Sequence, residues 1–186
     1  GIMTESSWIN VNRNPGWSKA EIEEELKRCL GLRKIIWLPG IKGKDITDAH
    51  VDFYARFARP GVVVANLDMD PDSYDYALTR KHLEILRRAT DADGKPLEIH
   101  TVSPPLNPRD SKFLRDNPDF AAGYINYFVI NGAVIAPEFG DAEADAKARD
   151  LLARLYPGRK VVQLDIDAIA SGGGGIHCVT NQLPMV

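Results

Sequence analysis

Apolar positions along the chain fall into short runs that repeat one order of elements. HVDFYARFA, residues 50–58, alternates loosely and predicts a strand, and GVVVANL, residues 61–67, is an apolar run that predicts a second, buried one. Between residues 73 and 90, Tyr76, Leu83 and Leu86 recur at helical spacing. Gly94 and Pro96 break that pattern, and LEIHTV (97–102) reads as a third strand. The same order returns downstream. YINYFVI (124–130) and AVIAP (133–137) flank an Asn131-Gly132 turn, a strong hairpin signal. Residues 142–156 carry Ala144, Ala148, Leu151 and Leu155 on one stripe, Pro157-Gly158 stops the helix, and KVVQLD (160–165) closes the unit as a strand. The two units begin about 74 residues apart, a spacing that suits a radial array of ββαβ modules.

The ends read as partial units. IMTESSWIN predicts a strand, Ser18 with Glu21 forms a capping box for a helix running to about Leu30, Gly31 stops it, and RKIIWL (33–38) is a strand. This is the theme without its first strand. GIHCVT, near the other end, reads as a first strand without the rest.

Composition narrows the class. The 186 residues are 44% apolar and 26% charged with a net charge of -3, which gives no reason to expect nucleic acid or an anionic membrane as a partner. No apolar run approaches the roughly 20 residues that span a bilayer, and the N-terminus lacks the basic and apolar regions of a signal peptide. Two cysteines, Cys29 and Cys178, make no disulfide framework, and a reducing cytoplasm fits them. Ligands at zinc-like spacing are absent from the sequence, so no structural metal is expected. Cys29 falls on the helical stripe of Ile22, Leu26 and Leu30 and reads as core.

Candidate chemistry emerges when the units are overlaid. His50 opens the first strand of one unit and Cys178 lies on the first strand of the last, with Tyr124 and Asn126 at the matching place between them. Equivalent first strands of a radial array converge on its axis, which would bring His50 and Cys178 toward one cavity. A period of two puts His50 and Asp52 on one face and turns His177 away from Cys178. A thiolate needs a depressed pKa or a base, and a histidine supplies acid–base chemistry near neutrality. Asp52 beside a thiolate is tolerable only with a cation between them, which points to a guanidinium held by a carboxylate through two parallel hydrogen bonds. The run SGGGG (171–175) before Ile176, His177 and Cys178 would let bare backbone approach that substrate. Each feature alone has a plainer reading: a slack glycine connection, a small buried cysteine, a hydrogen-bonded polar histidine.

Four stretches, TESSWINVNRNP (4–15), TDAHVDFYARF (47–57), YINYFVINGAVIAPEFGD (124–141) and GGGGIHCVTNQLP (172–184), resemble the agmatine deiminase and bacterial-type peptidylarginine deiminase family, in order and over essentially the whole chain. The resemblance implies the fold class, a pentein-type α/β propeller of ββαβ modules, here an incomplete set of blades. It implies hydrolytic deimination of a small cationic guanidinium substrate, agmatine first, giving N-carbamoylputrescine and ammonia through an amidino-cysteine intermediate. Cys178 is then the nucleophile, His50 the acid and base, and Asp52 the guanidinium ligand. Asp48 and Gly173, Gly174 and Gly175 border the substrate, and no metal or organic cofactor is required. Peptidylarginine or free arginine as substrate, an amidinotransferase, and a non-catalytic pentein fragment are the alternatives. Residues 1–186 correspond to the C-terminal portion of a single catalytic domain. The family's Trp-x-Arg-Asp and Glu-Gly-Gly segments are not found here, so the missing N-terminal half is an expected partner, and a homo-oligomer is compatible with the reading. One departure stands out: the family usually has Asp-Gly-His where this chain has Asp48-Ala49-His50, which strains the backbone if that position has a positive φ.

Overall fold

Strand β1, Ile2–Thr4, is buried at all three residues and pairs in parallel with β2, Ile36–Leu38, in a computed structural model that describes residues 1–183. The strand expected over IMTESSWIN is therefore only three residues long. Its continuation turns at once into a short helix, α1 (Glu5–Trp8). Helix α2, Lys19–Leu30, links the two strands. Its start follows the sequence signal: Ser18 accepts the Glu21 N–H while the Glu21 carboxylate takes the Ser18 N–H, and Gly31 ends the helix in the left-handed region. Ile22 and Leu26 bury against Met3 and Ile35.

Cys29 departs from its expected place in the core. It is exposed, as is Leu30, and its thiol reaches the Glu25 carboxylate at 3.2 Å. The apolar stripe of α2 has core to meet only as far as Leu26. The last turn runs on into solvent, where the thiol's hydrogen bond to Glu25 raises its pKa.

Two complete modules follow. In the first, β3 (Ala55–Arg59) pairs antiparallel with β4 (Val62–Asn66), helix α3 spans Asp75–Arg88, and β5 (Glu98–Val102) completes the sheet in the order β3-β4-β5. Strand β4 is buried at every position, as the apolar run GVVVANL requires of a central strand covered on both faces. In the second, β6 (Phe128–Ile130) and β7 (Ala133–Glu138) form the expected hairpin, with Ile130 opposite Ala133 and Gly132 at φ 79°. Helix α4 (Ala142–Leu155) then carries the chain to β8 (Lys160–Asp165), parallel to β7 through six residue pairs. Asp141 caps α4, and Ala148, Leu151, Leu152 and Leu155 are its buried stripe. A last short helix, α5, covers Asp167–Ala170.

The modules share a polar device that helical and strand periods do not show. Tyr54 donates its hydroxyl to Asp75, and Tyr124 donates to Asp145, each aspartate lying 21 residues downstream in the first turn of the module's helix. Burial and the facing carboxylate push both phenols well above the ordinary tyrosine range.

The chain divides into two compact units, Gly1–Ala65 with Asp72–His100, and Asn66–Pro71 with Thr101–Val186. In the first, Ile2, Ile36, Leu38, Ala55, Val63, Ala65 and Leu86 form the main cluster. In the second, Tyr124, Phe139, Ala148, Ile166, Ala170 and Ile176 do. Among the described residues no helix is long and apolar enough to cross a membrane.

Ser18→Ala removes one side of the capping box and is expected to lower stability by about 1 kcal/mol. Chemical denaturation would show it as an earlier midpoint at unchanged slope.

Candidate active site

His50 and Asp52 do not lie on a strand. The chain enters β3 only at Ala55, and Val51–Phe53 form one 3-10 turn with His50 at its N-cap. The period-two argument that placed the two side chains on one face therefore does not apply. Side chains have taken the backbone groups that a sheet ladder would use. Asp45 accepts the Thr47 N–H at 2.6 Å and the Ala49 N–H at 2.9 Å, and the Thr47 hydroxyl oxygen accepts the His50 N–H at 3.0 Å.

Just before His50 the backbone is left-handed at two consecutive non-glycine residues, Asp48 at φ 58° and Ala49 at φ 69°. The alanine that replaces the family's glycine thus sits where a Cβ costs about 1 to 2 kcal/mol. The segment Thr4–Asn10 holds this conformation in place. Thr4 Oγ1 donates to the Ala49 carbonyl at 2.5 Å, Ser6 Oγ to the Asp48 carbonyl at 2.6 Å, and Asn10 Nδ2 to the Asp48 carboxylate at 2.5 Å. Thr4 and Asn10 are buried. Gly40 closes the packing: a Cβ there would collide with Ser6 Oγ and stand 2.9 Å from the Ala49 Cβ.

Asp48, expected at the substrate, has both carboxylate oxygens engaged within this loop, by Asn10 and by the Gly43 N–H at 2.6 Å. The Gly43 N–H, with help from the Asn10 amide, holds its carboxyl below the usual range. His50 is half-buried. Burial, and then the Arg13 guanidinium, push its imidazole below the ordinary value, while the carboxylates of Asp52, Asp45 and Asp48 pull the other way. The ring is thereby biased toward its neutral form, which can accept a proton.

In the second unit Cys178 also lies off any strand, in a 3-10 turn over His177–Val179. The expectation that His177 faces away by strand alternation therefore loses its basis. Thr180 caps the turn from within, donating to the Ile176 carbonyl at 2.8 Å. The fully buried Asn126 accepts the His177 N–H on Oδ1 at 2.8 Å and directs Nδ2 to the Cys178 sulfur at 3.3 Å. Two of the glycines have local reasons. Gly173 sits at φ 77°, and a Cβ on Gly175 would collide with Asn126 Oδ1 and stand 2.8 Å from its Cγ. Gly174 passes close to Cys178, its would-be Cβ 3.6 Å from the sulfur. Ala121 and Asn117 fasten the start of the run through the carbonyls of Ala170 and Ser171. Packing against Asn126 thus requires Gly175, and Cys178 crowds Gly174. Pro184, which ends the quoted stretch, lies outside the described residues.

The predicted residues accordingly form two groups, His50, Asp52 and Asp48 in the first unit and Cys178 with Gly173–Gly175 in the second. Strand periodicity gives no sign of the grip of Thr4, Ser6 and Asn10, although five polar residues in TESSWIN are a poor fit to a buried strand. A cleft of about 520 Å³ in the second unit, lined by residues including Leu106, Asp141, Lys147 and Arg154, contains neither Cys178 nor the glycines. Among the described residues no cluster of three or more metal-ligating side chains is found.

The sequence profile of the Porphyromonas-type peptidyl-arginine deiminases matches residues 1–184. The chain belongs to this family. It is 36% identical to the agmatine deiminase of Medicago truncatula over 200 residues, covering 100% of this chain and 54% of the relative, and 36% identical to that of Pseudomonas aeruginosa, covering 98% and 53%. A solved structure of the Enterococcus faecalis agmatine deiminase, described as catalysing its reaction, superposes with a TM-score of 0.88 at 30% identity, covering 98% of this chain and 53% of that one. These matches carry the pentein-type α/β fold class, here as two ββαβ modules and a third without its first strand. The chain spans about half the length of the curated relatives it matches.

Gly175→Ala should drive Asn126 off the Cys178 turn and cost about 1 to 3 kcal/mol, the usual range for overpacking. A thermal melt and the rate of Cys178 alkylation would register both effects. A pH titration checks the electrostatics of His50. Its folded pKa lies below the ordinary 6.5, so the unfolded chain binds the proton more tightly. Stability therefore rises with pH through the window ending near 6.5, and the buried His82 acts in the same direction. Arg13→Ala should move the His50 midpoint upward, as read from its ring protons by NMR.

Proposed function

We propose that this chain carries the nucleophile and the acid–base residue of a hydrolase that converts agmatine to N-carbamoylputrescine and ammonia. The observation that carries the reading is the exposed Cys178 thiol, held on a glycine-built turn beside an amide donor, in a family whose relatives include proteins named agmatine deiminases. A buried, packed cysteine would have had no access to substrate.

In the proposed reaction the Cys178 thiolate attacks the guanidinium carbon, forming a C–S bond and a tetrahedral adduct. The C–N bond then breaks, and the departing nitrogen takes a proton from His50 and leaves as ammonia. The amidino-thioether that remains is attacked by water, whose proton returns to His50. The C–S bond breaks, regenerating the thiolate, and the hydroxyl proton passes to solvent as the neutral ureido product is released. Asp52 pairs with guanidinium N–H groups as a planar fork meets a carboxylate. Asp48 holds the loop that presents His50, in keeping with its bonds to Asn10 and Gly43. His50 enters the cycle protonated; its depressed pKa makes it the stronger acid toward the departing nitrogen, and the neutral ring left behind is the base for the water-activating step.

The domain proposed here is the C-terminal portion of one pentein catalytic domain, and the rest of the relatives' length corresponds to the remaining blades. The product, a carbamoylated diamine, would feed putrescine formation in the cytoplasm. The family description favours a second substrate class, peptidyl-arginine, strongly enough to include it in the assay.

Ureido product should be measured from agmatine, free arginine and an arginyl peptide, using the protein expressed from its own gene. Agmatine is expected to be preferred, and Cys178→Ala and His50→Ala to lower turnover by about 10²-fold or more. A folded wild-type protein that makes no ureido product from any of the three would overturn the enzymatic reading in favour of a non-catalytic pentein module.

A further inference from the structure

Asn126 is a fully buried side chain that bonds to the turn carrying Cys178, and its contacts have a direction. Oδ1 accepts the His177 N–H at 2.8 Å, and the Asn126 backbone carbonyl accepts the same N–H at 3.3 Å. A backbone N–H can only donate, so the amide cannot be turned over without setting donor against donor. The NH₂ end must therefore face the sulfur, where Nδ2 stands 3.3 Å from Sγ. The opposite bond, from the thiol to Oδ1, is longer at 3.6 Å and competes with the His177 N–H for that oxygen. The absence of a side chain at Gly175 is what allows the carboxamide to lie there.

We propose that Asn126 is a positioning residue that stabilises the Cys178 thiolate by donating an Nδ2 hydrogen bond to its sulfur. The inference rests on Cys178 being the nucleophile. A hydrogen bond to an ionised acceptor is roughly twice as strong as one to a neutral partner, so the same amide favours thiolate over thiol. Because Asn126 is wholly buried, water does not compete for the donor. The bond from the His177 N–H fixes the amide oxygen in the space left by Gly175, so the donor is in place before substrate arrives. His177, half-buried and adjacent in the chain, is a titratable neighbour of Cys178 in the sequence. It is retained in every variant below.

The test is alkylation by iodoacetamide across pH, read by mass spectrometry at the Cys178 peptide, in the protein expressed from its own gene. Cys29 is an exposed thiol within the same molecule and serves as the internal reference. In the wild type, Cys178 should reach half-maximal reactivity at a lower pH than Cys29. Asn126→Asp keeps an acceptor for the His177 N–H but removes the donor, and Asn126→Ala removes both. Each should shift the Cys178 midpoint upward, with a loss of about tenfold or more in rate at neutral pH, one pH unit being tenfold. The alkaline plateau and the Cys29 rate should stay unchanged.

A loss by the same factor at every pH would mean that the turn had merely moved, and coincident midpoints would mean that the amide does not act on the sulfur. Either result overturns the proposal, as does a wild-type Cys178 midpoint at or above that of Cys29, a measurement that needs no variant to fold. Alkylation requires no guanidinium substrate. A shifted midpoint without ureido product would sink the deiminase reading alone, and turnover with coincident midpoints would sink only the role of Asn126.

Discussion

The hydrogen bonds from Thr4, Ser6 and Asn10 to residues 48 and 49 are the constraint on which the presentation of His50 depends. Two adjacent L-residues in the left-handed region cost about 1 to 2 kcal/mol each. A buried neutral hydrogen bond returns about 1 kcal/mol, and one to a carboxylate more. Five such bonds converge here, counting those of Asp45 and Gly43, so the strained turn is the stable arrangement. Without them the segment would relax toward the extended backbone that its alternating pattern favours, and His50 would be redirected.

In the second unit Asn126 plays the corresponding part, with Thr180 bonding to the turn from its C-terminal side. Asn126 takes the backbone N–H that a ladder would otherwise use and so turns the chain at Cys178 instead of letting it extend. Both regions show local side-chain bonds defeating a strand pattern, which is where departures from sequence periodicity are expected to collect. In each, a small or absent side chain makes room: Gly40 against Ser6 and Ala49, Gly175 against Asn126.

The ββαβ modules were legible because their signals are local and redundant. The capping box of α2, the Asn131-Gly132 hairpin and the stripe on α4 each lie within a few residues, and each was found where the pattern put it. The candidate chemistry was proposed from residue types, His50, Asp52 and Cys178, and through the family resemblance. Their local conformation was not legible. Strand alternation over HVDFYARFA and GIHCVT is real in the sequence, but 3-10 turns replace it at both sites. Cys29 shows the same limit on a helix: its spacing is that of a core residue, yet the core ends one turn earlier.

From sequence alone the order of elements, the partial first module and the family could be determined, and Cys178 and His50 singled out as candidates, because period, caps and motif spacing are carried by neighbours along the chain. The tertiary structure alone decided that Ala49 is left-handed, that the Asp48 carboxylate accepts from Asn10 and Gly43, and that Asn126 faces the Cys178 sulfur. The bonds from Thr4 to Ala49, Asn10 to Asp48 and Asn126 to Cys178 join residues separated by 38 to 52 positions. Contacts at that range leave no periodic trace, since any of several polar side chains could have met the same backbone groups until folding selected one.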